Sequence, residues 1–527
     1  MLPRAPLLVV STTYTVRDLL RPERASTSLT WNDRCAFAQD REGGNCWRTP
    51  WVSAVHDETA RRPAATRAGE RLPGIDGVRA IAALGVVVVH VGLISGYNMA
   101  PDHALGPYFA RAEVGVSIFF VVSGFLIWRP FVAASLAGRP GPRVLPYLGR
   151  RLLRIVPLYW VALTVVLFVD HRSPVHGLGD LVTYYGFLQV YRPGYEVGGL
   201  QQAWSLCTIV SFYLLAPVLA LGLRALCDRA RASAAARLRV EGAVLVAVAA
   251  AGLAYRWVTV NDYVQGDPLS SDGRVNWLLT NADVFAVGML LAVLHAWGGD
   301  RSGGWSAAVR GLGRVPAGAW WALAALCYWA VSVRLGLPLA VGAHDAREWM
   351  GREVLYTATS VFLLVPAMFG PQDRGLVRRF LRCPPMAWLG VLSYGIFVWH
   401  EWALDLWRDW RGLPPFTGSF PSMLAVTLGL SLLLALATWL VVERPAQALA
   451  ARWAAAERGA PQPAPAPAVT GPARAPRPVA PPRGDLVLGR PPAVRAGRPD
   501  EWPSVPAPGV LSAPDEQWSD PVRPPVT

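Results

Sequence analysis

Arg79 and His90 enclose ten small or apolar residues in the stretch RAIAALGVVVVH, and both side chains belong to types that do chemistry. Eleven helical positions turn through about 1,100°, three turns plus roughly 20°, so the two side chains share a face about 16 Å apart along the axis. That spacing puts Arg79 at one mouth of a membrane span and His90 near its middle. An ionisable residue at that depth is costly, faces the protein interior and marks a functional position; the structural alternative is a His tied to a neighbouring helix by one hydrogen bond. A neutral imidazole takes a proton from a hydroxyl or accepts a group covalently. A guanidinium at the entry holds a phosphate by paired hydrogen bonds. A cytosolic donor bearing phosphate and an acceptor bearing a hydroxyl suit this pair.

Two further stretches follow. In GVSIFFVVSGFLI (115–127), Ser123 and Gly124 let a second backbone approach closely inside an apolar span, which packing alone explains. In RRLLRIVPLYW (150–160), Arg150 and Arg154 share a face at i,i+4, with Arg151 beside them. Pro157 is expected to break that helix one turn into the membrane. These arginines serve equally as positive-inside anchors or as the binding site of a cytosolic polyanion. HGLGD (176–180) has the His-x-x-x-Asp spacing of soluble acyltransferases but sits in a polar loop, where it is a chance match. The six cysteines form neither a CxxC nor a Cys/His cluster, so no zinc site, other metal site or disulfide framework is indicated.

The elements that must position these residues are membrane helices. Of 527 residues 53% are hydrophobic and only 16% charged, with 23 Trp and a mean hydropathy of +0.30. A soluble globular chain carries about 25% charged residues, so the balance points to an integral membrane protein. Net charge is +14 and every basic residue is Arg, a bias that fits base composition. The arginines fall between apolar spans, where they orient helices, so nucleic acid is not the expected partner; the lipid bilayer is. The expected fold is all-α, a bundle of about ten transmembrane helices near 77–96, 114–133, 152–169, 204–223, 242–259, 276–296, 317–335, 353–370, 386–404 and 422–442. The piece LVTYYGFLQV (181–190) is too short to cross. Loops after the second, fourth, sixth and eighth spans are the richer in arginine, which predicts both termini in the cytoplasm and a plasma-membrane location. Residues 73–446 form the expected membrane domain. Residues 1–72, polar and aperiodic, are expected to be a disordered cytoplasmic extension or the product of a start assigned too early. Residues 447–527, rich in Pro, Ala and Arg, are expected to be a disordered tail.

Together Arg-x10-His, FFVVSGFLI and RRLLRIVPLYW resemble the acyltransferase 3 family of multi-pass bacterial membrane proteins, which move acyl groups onto sugars, glycans and antibiotics. WSLCTIVSFYLLAP (204–217), NADVFAVGMLLA (281–292), LSYGIFVWHEW (392–402) and VERP (442–445) continue the resemblance in order over about 72–446. The resemblance implies an O-acyltransferase with acyl-coenzyme A as co-substrate and a glycan or small-molecule hydroxyl as acceptor. It makes His90 the base or acyl relay and Arg79 its partner. It gives Arg150, Arg151 and Arg154 to the donor, and adds Ser123, Trp204, Ser205, Tyr213, Asp283 and His400 as substrate-site positions. For Asp283 an ion pair, and for His400 a structural pairing, stand beside the functional role.

One departure matters. The fourth-helix motif usually runs Trp-Ser-Leu-x-x-Glu, and here its sixth position is Ile209. Either another carboxylate substitutes, Asp283 or Glu401, or the position is dispensable, or the chain is a catalytically silent relative. Asn281 also stands where the family often has Arg. A transporter or flippase whose intramembrane His and Arg line a path is the alternative of a different class.

Overall fold

The computed structural model describes residues 72–459 except 101, 171–174, 197, 266–272, 300–303 and 340–344. The expectations for residues 1–71 and 460–527 lie outside the described residues.

Among the described residues the chain is helical and without strands. Ten apolar helices follow in order: α1 (Pro73–Ile94), α2 (Val114–Leu136), α3 (Val144–Thr164), α4 (Trp204–Arg229), α5 (Ala234–Gln265), α6 (Ala282–Gly299), α7 (Ala317–Trp329), α8 (Ala346–Met368), α9 (Pro384–Arg411) and α10 (Phe420–Thr438). Each overlaps one of the ten apolar stretches expected from the sequence. Six of them, α1 to α5 and α10, are long and apolar enough to cross a membrane by length and composition, and α6 is a shorter apolar helix. The polar and charged residues of α8 and α9 explain why these two fall outside that set. Arg347, Glu348, Arg352 and Glu353 crowd the first turns of α8, and in α9 His400 and Glu401 interrupt an apolar stretch already diluted by Pro, Tyr and Trp.

Local sequence sets the ends. α1 starts on Pro73 with Asp76 in its first turn, where a missing N–H costs nothing and a carboxylate meets the helix dipole. α8 has a reciprocal capping box: the Asp345 side chain accepts from the Arg347 N–H at 3.2 Å, and the Glu348 carboxylate accepts from the Asp345 N–H. Gly412, at φ 61°, closes α9 in the left-handed conformation. Two expectations change. Pro157 does not end its helix; α3 runs through it to Thr164 and continues as a wider turn to Val169. The Tyr394 hydroxyl donates to the Ile155 carbonyl two residues before the proline, tying α9 to α3 there. Residues 447–459, expected in the tail, are helical as part of Arg444–Gly459; its run of Ala with Leu449 and Trp453 is made of good helix formers, and Trp453 packs over Gly149.

The interior is built on close backbone crossings. Gly124 of α2 and Gly288 of α6 meet so closely that a Cβ on either would run into the other helix, as Ser123-Gly124 foretold. Phe285 stacks between Phe120 at 4.7 Å and Phe212 at 4.4 Å, tying α2, α4 and α6. α1 and α9 also pack backbone to backbone, the Gly390 position facing the Asp76 carbonyl. Ten residues further along α9 and fourteen along α1, the His400 and His90 rings meet. The two helices therefore run in the same sense, and this pairing positions the site.

Candidate active site

His90 is partly exposed and His400 is fully buried, with side-chain exposures of 34% and 0%. His400 Nδ1 lies 2.7 Å from the Phe397 carbonyl, and its Nε2 lies 3.0 Å from His90 Nδ1. His90 Nδ1 also reaches the Val86 carbonyl at 2.9 Å, and His90 Nε2 stands 3.2 Å from Glu401 Oε1. A carbonyl only accepts, so the proton positions follow from the partners. His400 must carry its hydrogen on Nδ1, which leaves Nε2 as an acceptor. His90 must then carry hydrogen on Nδ1, and both groups facing that atom accept. The chain ends with the second His90 nitrogen facing a carboxylate, and one proton shared between Nε2 and Oε1 makes that contact favourable. The result is a basic nitrogen of fixed tautomer, aimed at a cavity, with a carboxylate able to take or return its proton. The three side chains hold ligating atoms within 4.8 Å of one another, but direct hydrogen bonds between them account for that spacing.

Two cavities meet at this point. The first, of about 230 Å³, is lined by His90, Glu401, Trp204, Gln202 and Asn276. The second, of about 100 Å³, is lined by Arg79, Arg151, Arg154, Ser123, Tyr213 and Ile209. Val116, Ser205 and Phe397 line both and form the partition between them. Arg79 has an Asp76 carboxylate at 3.6 Å, the buried Glu443 carboxylate lies near enough to Arg154 and Arg79 to interact with both, and Arg151 has no carboxylate within ion-pair distance among the described residues. The second cavity is thus a small basic chamber, and one layer of side chains separates it from the imidazole.

A family profile described as an acyltransferase domain matches residues 72–441. The chain belongs to the acyltransferase 3 family. It is 24% identical over 347 residues to the putative peptidoglycan O-acetyltransferase YrhL of Bacillus subtilis, covering 62% of this chain and 48% of that protein. To O-acetyltransferase OatA of Staphylococcus aureus it is 22% identical over 346 residues, covering 62% and 50%. The chain thus matches about half the length of these curated relatives. No solved structure matches it. Family membership supports an acyltransferase, and the six helices long and apolar enough to cross a membrane fit a multi-pass membrane protein.

The sites expected of an acyltransferase 3 protein divide in this fold. His90, Trp204 and Ser205 line the first cavity, and His400 backs it. Arg79, Ser123, Arg151, Arg154, Ser205 and Tyr213 line the second. Arg150 lines neither cavity; of the three arginines, Arg151 and Arg154 reach the chamber. Asp283 lines neither cavity. Its carboxylate takes a 2.8 Å ion pair from Arg256, whose other nitrogen holds Glu353 at 3.0 Å. Arg352 bridges Glu353 at 2.9 Å to Glu113 at 3.2 Å, so the network alternates in sign through α5, α6 and α8. Asn281 borders this network, 3.5 Å from Arg256. Asp180 of the HGLGD stretch accepts from the Tyr195 hydroxyl at 2.5 Å and from the His176 amide at 2.8 Å, which hold its carboxyl below the usual carboxylate range. These contacts anchor the short helix Leu178–Tyr185 and give Asp180 a structural task.

Gln202 was not foreseen. It is buried, its amide N–H donates to the Val398 carbonyl at 2.7 Å, and its Oε1 has no partner among the described residues. That oxygen is available to a hydroxyl entering the first cavity. An uncharged amide in a polar loop, GLQQAW, carries no signal in the sequence that separates it from its neighbours.

Proposed function

We propose that this enzyme transfers an acyl group from a cytosolic acyl-coenzyme A to a hydroxyl of a carbohydrate or other cell-envelope or secreted acceptor. The observation that carries the proposal is the single layer, Val116, Ser205 and Phe397, between the basic chamber and His90. Arg79, Arg151 and Arg154 take donor phosphate, and the thioester reaches past Ser205 towards Nε2. With the shared proton on Glu401, Nε2 takes the acceptor hydroxyl proton as the oxygen attacks the thioester carbonyl. The tetrahedral intermediate then expels the thiolate, which receives the proton from the imidazolium. In the relay variant, with the shared proton on Glu401, Nε2 attacks the thioester itself, and the departing thiolate takes that proton and leaves Glu401 as a carboxylate. The acceptor oxygen then displaces the imidazole, and its proton passes to the Glu401 carboxylate. Either route uses the same nitrogen.

That the Bacillus and Staphylococcus relatives are named O-acetyltransferases, the former of peptidoglycan, supports an acetyl group and a glycan acceptor. Ile209 does not argue for a silent relative, because it lies in the basic chamber and Glu401 supplies the carboxylate at His90. Ten crossings by α1 to α10, with both termini in the cytoplasm of the cell membrane, fit the arginine distribution. They also fit the shared sense of α1 and α9, both odd-numbered spans. The test is transfer of labelled acetyl from acetyl-coenzyme A into envelope glycan by cells or membranes carrying the protein. Label in ester linkage, released by mild base and absent with His90→Ala, is expected. Equal labelling with and without the protein refutes the proposal.

A further inference from the structure

A third cavity, of about 380 Å³, lies between the end of α2, the start of α3, the end of α4 and the start of α5. It continues the line of the first two. On α2 the basic chamber ends at Ile127 and this cavity begins at Phe131; on α4 the corresponding residues are Tyr213 and Pro217. Each step is four residues, one helical turn. Its rim carries Arg139, Arg143, Arg224 and Arg237. Arg224 and Arg237 are both committed to Asp228, at 3.2 and 2.5 Å. Arg139 and Arg143 are exposed and pair with no carboxylate among the described residues. In the wall stands Glu241, 4% exposed, whose Oε2 has no hydrogen-bond partner among the described residues. A buried carboxylate oxygen without a donor is costly, and here the cavity is the place from which a donor can come.

We propose that this cavity binds the phosphorylated adenosine end of the acyl donor. Arg139 and Arg143 hold its phosphate, and Glu241 accepts from an N–H or O–H of the nucleoside. The proposal rests on the donor assigned above and adds the place where its nucleotide sits. Twelve residues of α4 separate Ser205 from Pro217, about 18 Å of helix, so the arm between nucleotide and thioester lies along the basic chamber. A phosphate joined to a group bearing N–H is also what a phosphatidylethanolamine headgroup presents. The alignment of the three cavities favours the nucleotide, because a headgroup gains nothing from it.

Adenosine 3′,5′-bisphosphate is the probe, measured by equilibrium binding to the full chain in phosphatidylcholine nanodiscs. The native protein, Glu241→Gln and the double variant Arg139→Gln/Arg143→Gln are compared, each checked for monodisperse elution. The expected result is binding by the native protein, weakened about tenfold or more in both variants, as the loss of one charged hydrogen bond implies. Glycerophosphoethanolamine at equal concentration should leave the probe bound. No binding by the native protein, undiminished binding by both variants, or displacement by glycerophosphoethanolamine overturns the proposal. Coenzyme A thiol release is followed in the same samples. Release without nucleotide binding overturns this site and leaves the proposed function standing. Nucleotide binding without release supports this site and counts against the proposed function.

Discussion

His400 and Glu401 are neighbours in sequence and both touch His90, yet their removal should have very different consequences. In His400→Leu the acceptor 3.0 Å from His90 Nδ1 is lost, but the Val86 carbonyl remains at 2.9 Å on the same atom. The tautomer is therefore kept, and Nε2 still faces the cavity. The loss is about one neutral hydrogen bond, roughly 1 kcal/mol, which lowers kcat about fivefold. In Glu401→Gln the carboxylate 3.2 Å from Nε2 can neither share nor receive a proton, and its amide N–H occupies the base. The expected loss is that of a general acid–base partner, roughly 10²- to 10⁴-fold. The assay is coenzyme A thiol release from acetyl-coenzyme A by purified protein, with kcat and KM separated. If His400→Leu lost activity as severely as Glu401→Gln, the second imidazole would be acting directly or ligating a cation, and the proton chain described here would be wrong. Chelator treatment, expected to leave the native rate unchanged, separates those two causes.

Asp283→Asn should destabilise without touching the chemistry. Arg256 keeps Glu353 at 3.0 Å, so the cost is expected at the lower end for a broken buried ion pair, about 3 kcal/mol. Thermal denaturation should register it, while thiol release per folded molecule stays within about twofold. Ile209→Glu should not raise activity; a carboxylate among Arg79, Arg151 and Arg154 competes with donor phosphate, so KM for acetyl-coenzyme A should rise. A gain in kcat in that variant would instead show that the native chain is impaired. Gln202→Leu removes the unpaired Oε1 from the first cavity and should raise KM for the hydroxyl acceptor about tenfold, with the donor KM unchanged.

Much of the scaffold was legible because membrane spans declare themselves by composition. Each expected apolar stretch contains a helix, and the Ser123-Gly124 crossing is where small residues placed it. The face shared by Arg79 and His90 follows from helical periodicity alone, and both side chains do line the linked cavities. What the sequence left open was pairing between distant segments. Asp283 finds Arg256 and Glu353 only through the packing of α5, α6 and α8, and no local pattern records that. Glu401 stood as one of two substitutes for the carboxylate missing at Ile209. The approach of α1 to α9 brings it, and not Asp283, to His90. Which of the arginines in RRLLRIVPLYW reach the chamber was likewise open, since i,i+3 and i,i+4 spacings both place side chains together.

The measurement that bears most directly on the central claim is thiol release by the purified native protein beside His90→Ala, over a series of acetyl-coenzyme A concentrations. Release by the native protein, and a loss of at least about 10³-fold in kcat for a correctly folded His90→Ala, is the result the proton chain predicts. Undiminished release by His90→Ala would contradict it, and would move the chemistry away from the end of that chain.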